Sequence, residues 1–438
     1  LTVYYARTGQ YYCALEGLKK AREIVLANQK KTGQIDSLNY SIFLTSMANE
    51  YRNTKDLNSA EALLQEALAL LATEHGHRNG NYYTTLLGLG QVYYSQNRLE
   101  KADSCWALVE DFSRRSGDFT HLATVLQNRG DLHQKKGQND LAWAFCEEAY
   151  QLHRDTLGWG DEHPETIKCM MSLASLRPRS PEGQAYLRRI VHSATGYLRN
   201  QAAYSSEIEM QRMMGSMLPD FEQMYGLLLQ NGSPEMIGLA YDLALALKET
   251  TLKNAAGIKN DLEQKCPDKT GLWEQWKILR RQLASDRLRL GKEQWLRDTI
   301  AVLEKQLAPC LASFPAPPVW QQVYAALGPG EVAIEFVQYR TDSSPEGRYA
   351  ALALRHGDPH VQFVRLCTET DLKNLWETYD RDSTTRTPNG FNQLYNYTRN
   401  DGIPSLYTLL WKNVKDSLLR PGESIVYYSP TGFINLFN

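Results

Sequence analysis

The chain has 438 residues and a mass of 49.9 kDa, more than one ordinary hydrophobic core takes up, so two or three domains are expected. Apolar residues are 42% and charged residues 22%, with a net charge of −2 and a pI near 6.6. These values argue against a nucleic-acid footprint and against a polybasic membrane-surface patch. The longest apolar runs, such as the one around 67–72, are far too short to span a bilayer.

The sequence opens LTVYY, without a methionine, and finishes inside the apolar run SIVYYSPTGFINLFN (424–438), so both ends read as cuts. No signal peptide is visible. The seven cysteines (Cys13, Cys105, Cys146, Cys169, Cys266, Cys310 and Cys367) are scattered, odd in number and form no CxxC pair. Buried free thiols in a reducing, cytoplasmic setting are the expectation. No cofactor motif and no metal-ligand cluster is present in the sequence.

In chain order, the first 180 residues carry a repeat. Ala48, Gly90 and Gly130 are spaced 42 and 40 residues apart. Four residues before them stand Leu44, Leu86 and Leu126; three after, Tyr51, Tyr93 and His133. Twelve, sixteen and nineteen residues after them stand Ala60, Ala102, Ala142; Leu64, Trp106, Cys146; and Ala67, Val109, Ala149. The first set shares one face of a helix, the second one face of another, with turn stretches NTKDLN, SQNRLE and KKGQND between. Small residues let the helices approach, and the larger ones fill the gap. Such hairpins cannot bury their faces singly and must stack.

This pattern resembles the tetratricopeptide repeat (TPR), over roughly residues 1–200. A half-repeat around Thr2, with Tyr5, Ala14, Leu18 and Ala21, precedes it. A fourth unit centred on Ala174 is degenerate, with Arg177 where an aromatic is expected. The linker LGWGDEHPET (157–166) looks like that of the longer, kinesin-light-chain-type variety, and Arg129 departs from the usual apolar residue at its position. In a solenoid of this kind the first helices line a concave groove. Here the groove positions are Thr45, Asn49, Arg52, Leu87, Gln91, Tyr94, Gln127, Asp131 and Gln134. A polar, Asn/Gln-rich groove suits hydrogen bonding to an extended peptide or a helix, although any one of these residues could equally be a solvated surface residue.

Residues 201–310 continue as a helical extension. Pro234 is placed as a first-turn residue after the capping NGS. The stretch TGLWEQWKILRRQLASDRLRLGKEQWLRDTIAVLEKQLA reads as one or two long amphipathic helices, with Trp273, Trp276, Leu279, Leu283, Leu288, Leu290, Trp295 and Leu296 inside. Arg280, Arg281, Arg287 and Arg289 are interleaved with acids and read as a solvated face.

From ASFPAPP (312–318) the style changes. A short helix and a GPG break lead into three strands, EVAIEFVQY, RYAALALRHG and HVQFVRL, with Asp358-Pro359 expected in the turn between the last two. The helix DLKNLWETYD, the polar RDSTTRTPNG, the helix LYTLLWKNVKDSLL and the strand SIVYYSP follow. The order β-β-β-α-α-β indicates an α/β domain over 311–438 that has only begun.

The sequence of repeat array, long helical pair, LGPGE strand opening (327–331) and SPTGFINLFN segment resembles the CHAT family, caspase-like peptidase domains associated with tetratricopeptide repeats. Thr431 stands where that family has an Asp. The resemblance implies a mainly α protein: a TPR-type α-solenoid and long helical hairpin, followed by the N-terminal part of a caspase-like α/β domain. It implies a cysteine peptidase whose His base and Cys nucleophile lie beyond Asn438, so that no catalytic residue stands in this chain and the chain itself is inactive. It also implies a bacterial source, and some relatives act in antiviral defence. Cys367 and His356 are not expected to form a dyad, and Ser429 lacks the glycines of a nucleophile elbow. Two functions follow. One is a protein-binding scaffold that regulates the peptidase, by way of a protein or peptide partner in the groove or a regulatory complex. The other is a non-enzymatic adaptor with a structural α/β remnant. Neither involves direct contact with nucleic acid or a membrane.

Overall fold

A computed structural model describes residues 11–32, 36–74, 80–202, 207–256, 266–283, 292–307, 318–341, 344–381, 404–432 and 434. The chain divides into two units, Leu1–Leu176 and Arg177–Asn438. The half-repeat residues Thr2 and Tyr5, Leu288 and Leu290, and the polar stretch after Arg381 lie outside the described residues.

The first unit contains α1 (Tyr11–Thr32), α2 (Ser37–Asn53), α3 (Leu57–Glu74), α4 (Gly80–Ser95), α5 (Leu99–Ser116), α6 (Phe119–Lys135), α7 (Asn139–Gln151) and α8 (Pro164–Leu176). Each helix packs on the next, α2 on α3, α4 on α5 and α6 on α7 most extensively. The small residues sit where the hairpins close. A Cβ on Gly90 would come within 2.6 Å of Trp106 Cδ1, and one on Gly130 would overlap Cys146 Sγ. Ala48, Ala60, Ala67, Ala102, Ala142 and Ala149 are fully buried. The turns repeat as faithfully as the core: Lys55, Asn97 and Gly137 occupy one register position and share a left-handed backbone, with φ of 65°, 62° and 74°. Side chains of Asp36 and Asp118 cap α2 and α6 by accepting from the backbone N–H of Asn39 and His121, at 3.0 and 3.1 Å.

Arg129 has its explanation here. Its guanidinium lies over the Phe145 ring at 4.6 Å and forms ion pairs with Asp103, at 3.0 Å, and with Glu110. Its stem replaces the apolar residue, while its head is neutralised by two carboxylates. After α7 the chain makes a π-turn at Leu152–Thr156, and in the following linker Trp159 is stacked between His153 and His163, at 4.8 and 4.2 Å.

The second unit begins with α9 (Pro181–Ala202), α10 (Glu207–Asn231, running through Pro219) and α11 (Pro234–Ala256). The helical pair is α12 (Thr270–Leu283) and α13 (Lys292–Leu307), closed on Trp273, Trp276, Ile300, Leu303 and Leu307. Leu296 is buried, but Trp295 is 55% exposed, contrary to its expected place inside. Neighbours in sequence stand about 100° apart on a helix, so both cannot face one seam. Cys266 is disulfide-bonded, so the free-thiol expectation fails there.

Next come α14 (Trp320–Ala326), β1 (Glu331–Thr341), β2 (Ser344–Arg355), β3 (Asp358–Thr368), α15 (Glu369–Arg381), a π-turn at Tyr407–Trp411, α16 (Lys412–Leu418) and β4 (Ile425–Ser429). The sheet order is β3-β2-β1-β4; β1 pairs antiparallel with β2 and parallel with β4. Both faces of β1 and β2 are covered, which is why they read as near-continuous apolar runs. Val332, Ile334, Phe336, Tyr349, Ala351 and Ala353 meet α15 and the helix at 407–418. On the other face α10 and α11 pack against β1. The turn between β2 and β3 is His356-Gly357, with Gly357 at φ 81°, and not the Asp-Pro pair, which opens β3. Pro359 lacks a backbone donor, and β3 is an edge strand where none is needed.

Candidate functional site

The nine expected groove positions stand on the first helices of successive repeats: Thr45, Asn49 and Arg52 on α2, Leu87, Gln91 and Tyr94 on α4, and Gln127, Asp131 and Gln134 on α6. Leu87 is buried and the other eight are half-buried. Most of their polar groups bond to a helix one repeat away. Thr45 and Thr85 hydroxyls meet at 3.0 Å, and Arg52 donates to Gln91 Oε1. The Lys135 ammonium lies 4.8 Å above the Tyr94 ring. On α8, Cys169 Sγ donates to Gln127 Oε1 at 3.5 Å and Ser172 Oγ to Asp131 Oδ1 at 3.2 Å, while Gln134 Nε2 donates to Ser175 Oγ at 2.9 Å. Asn49 is half-buried and has no partner in this ladder among the described residues.

Between α2, α4, α5 and α6 lies a cavity of about 220 Å3 lined by residues that include Arg52, Gln91, Tyr94, Trp106, Asn128 and Asp131. The Trp106 indole is pinned beneath by a bond from its Nε1 to the Leu87 carbonyl at 3.3 Å, with the Tyr94 ring 5.8 Å away. Burial holds the Arg52 guanidinium below its usual pKa. Asn128 Nδ2 is buried without a hydrogen-bond partner among the described residues, a donor left for something else to satisfy. Four of the nine expected positions thus meet in one cavity: Arg52, Gln91, Tyr94 and Asp131. Asn128 and Trp106 were not among the expected residues. Trp106 belongs to the hairpin-closing register, and Asn128 lies one residue off the groove phase, so neither carried a sequence signal for the groove.

Two family models match the chain, both described as tetratricopeptide repeat, over residues 41–105 and 122–165. The repeats are tetratricopeptide repeats. No curated protein matches the chain. Among solved structures, nearly identical TPR-like repeats from Podosopora anserina align at 19% identity with a TM-score of 0.37, over 45% of this chain and 92% of that one. BtubC (BKLC) from P. vanneervenii aligns at 16% identity and TM-score 0.37, over 46% and 78%. The Rap conjugation gene regulator of plasmid pLS20, in complex with the Phr* peptide, aligns at 13% identity and TM-score 0.38, over 72% and 74%.

Beyond the tetratricopeptide repeats, Cys367 and His356 are each committed elsewhere. The Cys367 thiol sits in the core under α15, where burial pushes its pKa up to about 12. The His356 ring is bonded through Nδ1 to the Leu327 carbonyl at 2.8 Å. Among the described residues no group of three or more His, Cys, Asp or Glu is placed to hold a metal, and no helix is long and apolar enough to cross a membrane.

Proposed function

We propose that the chain is a protein-binding scaffold whose groove takes an extended segment or helix of a partner. The observation that carries this reading is the cavity at Arg52, Gln91, Asn128 and Asp131, with its unpartnered buried amide. An extended peptide supplies a backbone carbonyl at each residue, the acceptor that an orphaned Asn donor needs. Selection of random dodecapeptides on the purified chain tests it. Selected peptides should lose binding with Gln91→Trp, which fills the groove, and keep it with Leu108→Ser on an exposed position of α5. No enriched peptide, or peptides indifferent to Gln91→Trp, would overturn it.

The finer reading is that this scaffold regulates a CHAT-type, caspase-like cysteine peptidase in a bacterium, with the catalytic Cys and His on residues that are not in this sequence. It is supported by the order of repeat array, helical pair, LGPGE opening and SPTG strand end. The test is the coding sequence after Asn438. A strand followed by His-Gly and a second followed by Cys are expected, and a protein carrying both should cleave a partner in a thiol-dependent way. The adaptor reading stands if neither motif is found.

A further inference from the structure

The second unit holds a separate cavity of about 330 Å3 between α10, α11 and β1. Its walls are mainly apolar, with Met214, Leu218, Phe221, Leu247 and Val337 among them. That volume is within the range of sites for small molecules. Four charged groups stand in or directly behind the wall, and they cancel. Lys248 pairs with Glu335 at 2.5 Å, and its ammonium also donates to the carbonyls of Ser429, at 2.8 Å, and Phe336, at 3.3 Å. Arg340 Nε lies 2.5 Å from Glu222 Oε2, a close ion pair though not aligned as a hydrogen bond.

Two hydroxyls in the wall are left over. Tyr225 is 5% exposed, it lines the cavity, and its hydroxyl makes no hydrogen bond to a described residue. Buried phenols ordinarily find a partner. The hydroxyl of Thr431, which also lines the cavity, is likewise without one.

We propose that this cavity is a binding site for a small, uncharged, mainly apolar molecule carrying one hydrogen-bonding group, which Tyr225 receives. An anionic or cationic ligand would bring an uncompensated charge against walls whose own charges are already neutralised, and burying such a charge is disfavoured. A neutral hydroxyl or carbonyl meets Tyr225 without that penalty. The site is distinct from the groove of the repeats and stands or falls independently of it.

The experiment uses three probes with one apolar body: 1-octanol, octanoate and octylammonium, titrated calorimetrically into the full chain. Octanol should bind about tenfold or more tightly than either ion. Two substitutions locate the site. Gly215 lines the cavity and an added Cβ there meets nothing within 4 Å, so Gly215→Phe is the blocking variant and should abolish octanol binding. Replacing a helix-interior glycine also leaves the fold no less stable. Tyr225→Phe removes a hydroxyl with no partner among the described residues, so the unfolding midpoint should hold while octanol affinity falls about three- to tenfold. The proposal is overturned if octanol does not bind, if either ion binds as well as octanol, or if binding survives Gly215→Phe.

Discussion

Lys248 on α11 donates to the backbone carbonyl of Ser429, the last residue of β4, at 2.8 Å, across 181 positions of sequence. The same ammonium is paired with Glu335 in the middle of β1. One side chain therefore ties a helix to two parallel strands at the point where the chain enters the SPTG turn. Burial pulls the Lys248 pKa down and pushes the Glu335 pKa up, and the attraction between the two opposes both shifts.

Removing one partner should be far worse than removing both. Lys248→Met leaves a largely buried carboxylate and two carbonyls unserved, and should lower unfolding stability by about 3 kcal/mol. Adding Glu335→Leu should restore more than half of that. Urea unfolding followed by tryptophan fluorescence measures both. Equal losses in the single and double variants would show that the pair does not hold this junction.

A gain is expected at Lys55. Its φ of 65° matches that of Asn97 and Gly137 at the same place in later repeats, and a left-handed lysine carries steric strain that asparagine and glycine largely avoid. Lys55→Gly should raise stability by about 0.5–1 kcal/mol, while Gly137→Lys should lower it by a similar amount. Opposite signs in thermal unfolding are the result to look for, and equal signs would contradict the shared turn.

The repeats were legible because their geometry admits few residues. Only glycine fits against Trp106 at position 90 and against Cys146 at position 130, so the register shows in the letters. The expected groove positions rest on helical phase. Their bonding did not, because Asp131 meets Ser172 and Gln134 meets Ser175 a full repeat away, and no local pattern encodes a partner 41 residues on. Trp295 beside Leu296 was misplaced because amphipathic phase tolerates either one inside. Asp358-Pro359 carries turn chemistry, but His356-Gly357 makes the turn, since Gly357 adopts the positive φ that a tight hairpin needs. Lys248 looked like any helix lysine, and only the sheet reveals its role.

Acid should loosen the linker after α7. His153 is buried, neither ring nitrogen has a partner among the described residues, and burial holds its pKa below the ordinary 6.5. The nearby Glu165 pulls the other way, and His163 adds to the depression. The folded state thus takes up its proton at lower pH than the unfolded state does. Above about 6.5 both are neutral and stability is indifferent to this group; as pH falls below that value the unfolded state is favoured, until the folded-state pKa is reached. Urea midpoints should fall between pH 7 and 5, with Trp159 fluorescence changing alongside. His153→Phe should keep the stack and flatten that slope. An unchanged slope would place the titration elsewhere.

The thiols should be inert. Cys105, Cys146, Cys169 and Cys367 are free and buried, and desolvation raises the pKa of each, to about 11 for Cys105 and about 12 for Cys367. The thiolate is the reactive species, so at pH 8 fewer than about one Cys367 in a thousand is ionised, and the side chain is shielded as well. A thiol peptidase needs the reverse: an accessible cysteine with a depressed pKa beside a base. In the native protein these four should therefore resist iodoacetamide over hours and become alkylated within minutes in 6 M guanidinium, as read by peptide mass spectrometry. Rapid native labelling of Cys367 would contradict its place in the core and reopen the question of a nucleophile within this chain.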